Sequence, residues 1–195
     1  MDKKELDSAI KYLSNDSDLR SLIRQYGKLD FGHSETPFKS LIKYIIYQQL
    51  SIASAKAIYT RFLKLFNNKP TPINVKNLDL TILKDIGLSR QKIVYICDIS
   101  DFFINNDIDF DSLTNKEIYS QLIQIKGIGP WTIDMFLMFT LNKMNIMPVG
   151  DLGIKKGFKI LYDLDDLPSD EFMLEKAKKW DPYQSIASLY LWKIV

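Results

Sequence analysis

The chain has 195 residues, of which 46% are hydrophobic and 26% charged, and its formal net charge is +2. This length suits one domain or one core with a flanking lobe, and the composition is typical of a soluble globular protein. Because Cys97 and His33 are the only cysteine and histidine, an intramolecular disulfide, a cysteine zinc site and an iron–sulfur cluster are excluded, and a histidine metal site or a Ser-His-Asp triad is disfavoured.

Short amphipathic helices are predicted along the whole chain, with no convincing strand, so the fold class is all-α with about ten short helices. Caps and breakers place them at about 2–13, 16–26, 38–50, 51–66, 76–85, 90–106, 115–123, 131–141, 152–161, 169–179 and 182–195. Loops are expected around Gly32 and at 67–74. No apolar run reaches the roughly 18 residues of a membrane helix, and the charged N-terminus is unlike a secretory signal.

The segment 122–139 is the most informative stretch of the sequence. A helix ends before Lys126, Gly127-Ile128-Gly129 forms a turn, and Pro130 opens the next helix at the position that proline favours. The two glycines permit backbone angles and close approach that other residues would block. Free amides at the new helix N-terminus, with Lys126 beside them, can face an anion such as a DNA phosphate. Taken alone, a turn of this kind is more often a plain helix–helix connection.

The complete pattern, with Ile125 and Ile128 plugging the turn, resembles the helix-hairpin-helix of the DNA glycosylase superfamily that includes endonuclease III. Three further motifs extend the resemblance in the expected order: Gln48-Gln49-Leu50-Ser51, MPVGDLGIKKG at 147–157 and WDPYQSIASLYLW at 180–192. The match covers about 36–193, and the sequence is similar to the 3-methyladenine DNA glycosylases of type II, the AlkA-like branch.

This resemblance implies one HhH-GPD glycosylase domain over 1–195, with two helical lobes around a cleft. The lobe at 36–150 would be a helical barrel that contains the hairpin at about 115–141, and 1–35 with 151–195 would form the other lobe. The N-terminal mixed α/β domain of the bacterial type II enzyme is expected to be absent. The protein is expected to be a monomer with no membrane partner, located in the cytoplasm on the bacterial or archaeal nucleoid, or in a eukaryotic nucleus.

Asp151 matches the invariant aspartate of the family, which implies a catalytic role. Cleavage of an N-glycosidic bond develops positive charge on the deoxyribose, and a fixed carboxylate can stabilise that charge or orient the attacking water. From the residues alone, Asp151 is better explained as the N-cap of the helix that follows it. The two roles are compatible.

Trp131 stands where bifunctional relatives carry a lysine that attacks the sugar through a Schiff base. The resemblance therefore implies a monofunctional enzyme that releases the base and leaves an abasic site. A tryptophan face would also attract the cationic ring of an alkylated purine. Trp192 matches the second wall of the base pocket, and core packing is the alternative for both Trp131 and Trp192. Met135 would line the floor of the pocket. Trp180 is expected in the core.

Leu50 occupies the family's wedge position, where an apolar side chain enters the base stack and offsets the cost of flipping a nucleotide. Gln48 and Gln49 would contact bases or hold the turn, and the alternative for Leu50 is a place in the core. Lys155 and Lys156 would meet a phosphate or belong to a solvated helix face. Gln184 stands where many relatives have an arginine.

The expected cofactor list is short. The backbone carbonyls of Ile123, Ile125 and Ile128 match those with which relatives hold a monovalent cation, Na⁺ or K⁺, and no iron–sulfur cluster is expected.

The expected partner is double-stranded DNA with a damaged base. The implied function is base excision of 3-methyladenine, with 7-methylguanine as a second substrate. The alternatives are a monofunctional glycosylase for another damaged base, a non-catalytic binder of lesions or bent DNA, and a non-specific helical DNA-binding module.

Overall fold

The computed structural model describes residues 3–31 and 35–195; Gly32 and His33 lie outside them. Across the described residues the chain is helical and contains no strand, so the all-α prediction is confirmed. The helices are α1 (Lys3–Leu13), α2 (Ser17–Tyr26), α3 (Pro37–Tyr47), α4 (Ile52–Leu65), α5 (Pro72–Lys76), α6 (Leu80–Asp85), α7 (Arg90–Asn105), α8 (Asn115–Leu122), α9 (Pro130–Phe139), α10 (Leu152–Leu161), α11 (Asp170–Ala177) and α12 (Gln184–Lys193), with a 3₁₀ turn at Lys178–Trp180. Within these ranges no helix has the length and apolarity to cross a membrane.

Several predicted boundaries are wrong. Helix α3 ends at Tyr47 rather than at residue 50, because Gln48 has a ψ of 131° and Gln49 a φ of 55°, and a right-handed helix cannot pass through either conformation. The predicted loop at 67–74 contains the start of α5, where the Thr71 hydroxyl accepts a hydrogen bond from the Asn74 N–H and Pro72 occupies the first helical position. Helix α12 begins at Gln184, two residues later than expected.

The chain divides into two compact units, and the boundary falls within α9. We call Ser34–Phe136 the central unit, and Met1–His33 with Leu137–Val195 the terminal unit. In the central unit, α3 packs against α4 and α7, and α5 packs against α7. Leu41, Ile42 and Ile45 of α3 have no exposed surface, so this helix forms the middle of the central core. Cys97 lies half-buried on α7.

The terminal unit is built around α12, which packs against α2 and α10. Trp180, Tyr190 and Phe158 are completely buried, and the core prediction for Trp180 is confirmed. The Tyr190 hydroxyl donates a hydrogen bond of 2.9 Å to the Gly27 carbonyl and so ties α12 to the end of α2. Helices α10 and α12 approach so closely that a Cβ on Gly157 would lie 2.7 Å from the Leu191 carbonyl oxygen. This packing brings the end of α12 beside the start of α10.

Candidate active site

The predicted hairpin joins α8 to α9. The Ile128 N–H donates to the Ile125 carbonyl at 3.1 Å, and both side chains are buried, with 5% and 6% of their surface exposed. Gly127 has a φ of 85°, and a Cβ there would lie 2.3 Å from the Tyr95 ring, so this position requires glycine. At Gly129 a Cβ would meet nothing within 4 Å. A positive φ therefore requires glycine at position 127 alone, and the close approach of a ligand at Gly129 stays a prediction.

The stretch between α3 and α4 lies against this hairpin. Gln48 Nε2 donates hydrogen bonds to the Gly127 carbonyl at 3.0 Å and to Thr132 Oγ1 at 3.2 Å, so this amide holds the turn. Gln49 is exposed, and Leu50 has 39% of its surface exposed. The core alternative for Leu50 is wrong, while its role as a wedge stays a prediction. Lys126 is exposed, with its ammonium 3.7 Å from the Asp98 carboxylate.

Helix α9 carries the residues predicted to meet the base. Trp131 is half-buried, whereas Met135 keeps only 6% of its surface exposed. The Tyr44 hydroxyl donates a hydrogen bond of 3.2 Å to the Met135 carbonyl, which fixes α9 against α3. Asp134 lies one turn after Trp131, and burial raises the pKa of its carboxyl to about 7. Sequence reasoning missed Asp134, although a single acidic residue in the apolar run WTIDMFLMF was a visible signal.

Asp151 caps α10 and is held by two donors. Its Oδ1 accepts a hydrogen bond from the Ile154 N–H at 2.9 Å and another from Trp192 Nε1 at 2.8 Å. Gly153 leaves room for this arrangement, since a Cβ there would lie 2.8 Å from the Trp192 ring and 2.9 Å from Oδ1 of Asp151. The cap that the residues alone favour is present, and the same carboxylate is half-buried in an orientation fixed from two sides. Sequence reasoning missed Gly153.

The motif at 180–192 forms hydrogen bonds with the loop that leads to Asp151. The buried Ser185 hydroxyl donates to the Lys143 carbonyl at 2.7 Å and accepts from the Ile146 N–H at 3.0 Å. Gln184 Nε2 donates to the Ala177 carbonyl at 3.2 Å, which gives this amide a local structural contact.

The lysines that follow Asp151 have different surroundings. Lys155 is half-buried, and its ammonium group forms an ion pair with the Asp170 carboxylate through a hydrogen bond of 2.7 Å. Lys156 is exposed. A phosphate contact by either lysine stays a prediction, and Lys155 would have to exchange its carboxylate partner to make one.

The predicted cation ligands are backbone atoms of the hairpin. The Ile125 carbonyl accepts the Ile128 N–H, and a carbonyl oxygen has a second lone pair that can also face a monovalent cation. The cation site at the carbonyls of Ile123, Ile125 and Ile128 therefore stays a prediction. The described part of the chain has no cluster of three or more His, Cys, Asp or Glu side chains arranged to hold a metal.

These residues form two groups. The central unit contains Leu50, Gln48, the hairpin, Trp131 and Met135, and within it Gln48 contacts the hairpin directly. The terminal unit contains Asp151, Trp192, Lys155 and Lys156, and within it Asp151 and Trp192 are hydrogen bonded.

Comparison with known proteins identifies the family. The family model described as "HhH-GPD superfamily base excision DNA repair protein" matches residues 42–182. The chain belongs to this HhH-GPD superfamily. The match covers most of the chain, including the hairpin and Asp151, so the predicted membership is confirmed.

Two named relatives and one solved structure are similar to this chain over most of its length. The chain is 34% identical over 181 residues to DNA-3-methyladenine glycosylase 1 of Schizosaccharomyces pombe, covering 90% of this chain and 79% of that protein. It is 34% identical over 180 residues to the putative DNA-3-methyladenine glycosylase YfjP of Bacillus subtilis, covering 84% of this chain and 63% of that protein. The solved structure of Schizosaccharomyces pombe 3-methyladenine DNA glycosylase in complex with abasic DNA superposes with a TM-score of 0.87 at 33% identity, covering 95% of each chain.

Proposed function

We propose that this protein is a monofunctional DNA glycosylase of base excision repair that removes alkylated purines from duplex DNA. Its first substrate would be 3-methyladenine, with 7-methylguanine as a second, and its product an abasic site. The similarity to proteins named DNA-3-methyladenine glycosylases supports this activity. The observation that carries the proposal is the Asp151 carboxylate, which follows the hairpin and is held by Ile154 and Trp192.

Asp151 would act on the sugar. As the bond between the base and deoxyribose breaks, positive charge develops on the sugar, and a carboxylate already fixed in place stabilises it without further reorganisation. The same group can orient the water that attacks the anomeric carbon and accept its proton. An alkylated purine carries positive charge on its ring and is a good leaving group, so the reaction does not depend on a general acid.

Trp131 would bind the base. Its indole face can stack on a cationic purine ring, an interaction worth about 0.5–2 kcal/mol. Because tryptophan has no nucleophilic amine, this position cannot form a Schiff base with the sugar, and the DNA strand would remain uncut. Trp192 and Met135 would contribute to base binding, and Leu50 would occupy the gap that the flipped nucleotide leaves in the stack.

The hairpin would hold the DNA backbone. The hairpin leads into the N-terminus of α9, where the positive end of the helix dipole favours an anion, so a phosphate beside Gly127 and Gly129 is the expected ligand. We also place phosphate or base contacts at Lys126, Gln49, Lys155 and Lys156, and a Na⁺ or K⁺ ion on the hairpin carbonyls. We further propose that the protein acts as a monomer on chromosomal DNA, in the cytoplasm of a prokaryote or the nucleus of a eukaryote.

The test is release of 3-methyladenine from methylated duplex DNA by the wild type, by Asp151→Asn and by Asp79→Asn. Asp79 is the N-cap of α6 and accepts a hydrogen bond from Thr81, so its replacement is a matched change of a capping aspartate. We expect release by the wild type and by Asp79→Asn. For Asp151→Asn we expect loss of release while binding to duplex DNA with an abasic analogue is retained.

Other outcomes separate the alternatives. Strand cutting without alkali would contradict a monofunctional enzyme. Tight binding to the abasic analogue with no release of any alkylated base would favour a glycosylase for another lesion or a non-catalytic lesion binder. Equal binding to damaged and undamaged duplex would favour a non-specific DNA-binding module.

A further inference from the structure

The backbone between α3 and α4 is held in an uncommon conformation beside Leu50. Gln49 has a φ of 55°, a region that residues with a Cβ occupy only when the surrounding structure imposes it. Leu50 follows directly, with 39% of its surface exposed, and Ser51 then caps α4. The backbone conformation of this short stretch sets the orientation of the exposed Leu50 side chain.

The ammonium group of Lys92 supplies one restraint on this stretch. Its Nζ donates hydrogen bonds to the Ile46 carbonyl at 2.8 Å and to the Gln48 carbonyl at 2.7 Å. These carbonyls lie at the C-terminal end of α3, where helical partners are missing and the helix dipole is negative. Because the donor is charged, these bonds are stronger than bonds between neutral groups. Lys92 thereby fixes the peptide plane that precedes Gln49.

Lys92 is not part of an ordinary ion pair. Its side chain is half-buried, and across the residues that the structure describes no carboxylate lies within ion-pair distance of it. Burial lowers the pKa of its ammonium group below the usual range, which reflects the cost of removing a cation from water. The carbonyls of Ile46 and Gln48 are therefore its main polar partners.

The hairpin supplies the second restraint. The Gln48 side chain bonds to the Gly127 carbonyl and to Thr132, while the main-chain carbonyl of Gln48 bonds to Lys92. The residue before Gln49 is thus tied to α7 by its backbone and to the hairpin by its side chain. A wedge fixed before DNA arrives loses less conformational entropy when it enters the base stack.

We propose that Lys92 is a positioning residue for base flipping, holding Leu50 in the orientation in which it enters the duplex. This rests on the proposed function, since a wedge matters only if a nucleotide is flipped. Lys92, Gln49 and Leu50 line one recess of about 330 Å³ on the central unit, so Lys92 borders the same part of the surface as the wedge residue.

The experiment is a double-mutant cycle between Lys92 and Leu50. Binding is measured for the wild type, Lys92→Met, Leu50→Ala and the double variant, with Lys92→Arg as the conservative change. The probes are a duplex with a tetrahydrofuran abasic analogue and an undamaged duplex, each with 2-aminopurine beside the site to report unstacking. Lys64→Met, which removes an exposed lysine at the end of α4, is the matched control.

We expect Lys92→Met to weaken binding to the abasic-analogue duplex by about tenfold and to reduce the 2-aminopurine signal, with unchanged binding to undamaged duplex. Lys92→Arg should retain most of both signals because it keeps charged donors. In the Leu50→Ala background, Lys92→Met should cause no further loss. Lys64→Met should behave as the wild type does.

Two results would overturn the proposal. The first is that Lys92→Met binds the abasic-analogue duplex as the wild type does. The second is that Lys92→Met weakens this binding equally in the wild-type and Leu50→Ala backgrounds, which would indicate a phosphate contact or a general effect on the fold. If circular dichroism shows that Lys92→Met does not fold, Lys92→Gln, which keeps a neutral donor, takes its place in the cycle. A wild type that does not prefer the abasic-analogue duplex would contradict the proposed function itself, and the role of Lys92 with it.

Discussion

The indole Nε1 of Trp192 donates a hydrogen bond of 2.8 Å to Oδ1 of Asp151. This contact joins the residue predicted to be catalytic to one predicted to be a wall of the base pocket. The aromatic ring of Trp192 packs against Phe139 with ring centroids 5.9 Å apart, so the indole is itself held in place. Trp192 therefore orients the carboxylate, a role that its expected place in the pocket did not include.

Trp192→Phe keeps an aromatic ring and removes this hydrogen bond. A hydrogen bond to a charged group contributes about 1.5–3 kcal/mol, so we expect base release to slow by roughly 10- to 100-fold. Tyr190→Phe is the control, since it removes one hydrogen bond from the same helix, to the Gly27 carbonyl. That control should lose about 1 kcal/mol of stability and keep its rate of base release. Equal rates for the two variants would contradict an orienting role for Trp192.

Gly153→Ala tests the same contact from the opposite side. The added Cβ would lie 2.8 Å from the Trp192 ring and 2.9 Å from Oδ1 of Asp151, so the two groups must separate. We expect a loss of base release comparable to that of Trp192→Phe, without change to either hydrogen-bonding side chain. Single-turnover rates on methylated duplex would measure it, and an unchanged rate would show that the contact is dispensable.

The two glycines of the hairpin should respond differently to alanine. Gly127→Ala places a Cβ 2.3 Å from the Tyr95 ring at a φ of 85°, and we expect a loss of stability of about 1–3 kcal/mol or more. At Gly129 the added Cβ meets nothing within 4 Å of the protein, so the fold should remain stable. If the hairpin amides approach a phosphate closely, Gly129→Ala should instead weaken DNA binding. Thermal unfolding and duplex binding, measured together, separate these effects.

Asp134 should make stability depend on pH. Its pKa is raised from 3.8 to about 7 by burial, so between these values the folded protein keeps a proton that the unfolded chain releases. The free energy of unfolding therefore falls as pH rises from about 4 to about 7. Asp134→Asn should remove this dependence and be more stable than the wild type at pH 8, by on the order of 2 kcal/mol after allowance for partial exposure.

Urea unfolding at pH 5 and pH 8 measures the effect of Asp134→Asn. Asp107→Asn, an exposed change in the loop after α7, is the control and should follow the wild type at both values. If the free energy of unfolding changes between pH 5 and pH 8 by the same amount in Asp134→Asn and Asp107→Asn, the Asp134 carboxyl is ionised in the folded protein near neutral pH.

Local sequence signals predicted much of the fold. The bounds of α10, Leu152–Leu161, were correct because Asp151 is a cap and the apolar residues keep the helical period. The start of α5 was missed although Thr71-Pro72 carries the ordinary signal of a helix start. The end of α3 had no comparable signal: the apolar pattern continues to Leu50, and Lys92, more than forty residues away, bonds to the carbonyls at the end of the helix.

The residues of the candidate site also separate into those that a sequence motif indicates and those that only the folded structure reveals. Asp151, Trp131 and Leu50 could be selected from sequence because each lies in a motif that resembles the family pattern, and their roles stay predictions. Gly153 and Lys92 could not, since their importance lies in contacts with Trp192 and with the end of α3, which only the folded chain brings together.

The bonds of Ser185 to Lys143 and Ile146 have a consequence for work with shortened forms of the protein. A fragment that stopped before α12 would keep Asp151, Trp131 and the whole hairpin. It would lose the serine that fastens the loop before Asp151, the indole that orients its carboxylate and the helix that packs against α10. Such a fragment would retain every residue proposed to touch the sugar and the phosphates, and we expect it to be inactive.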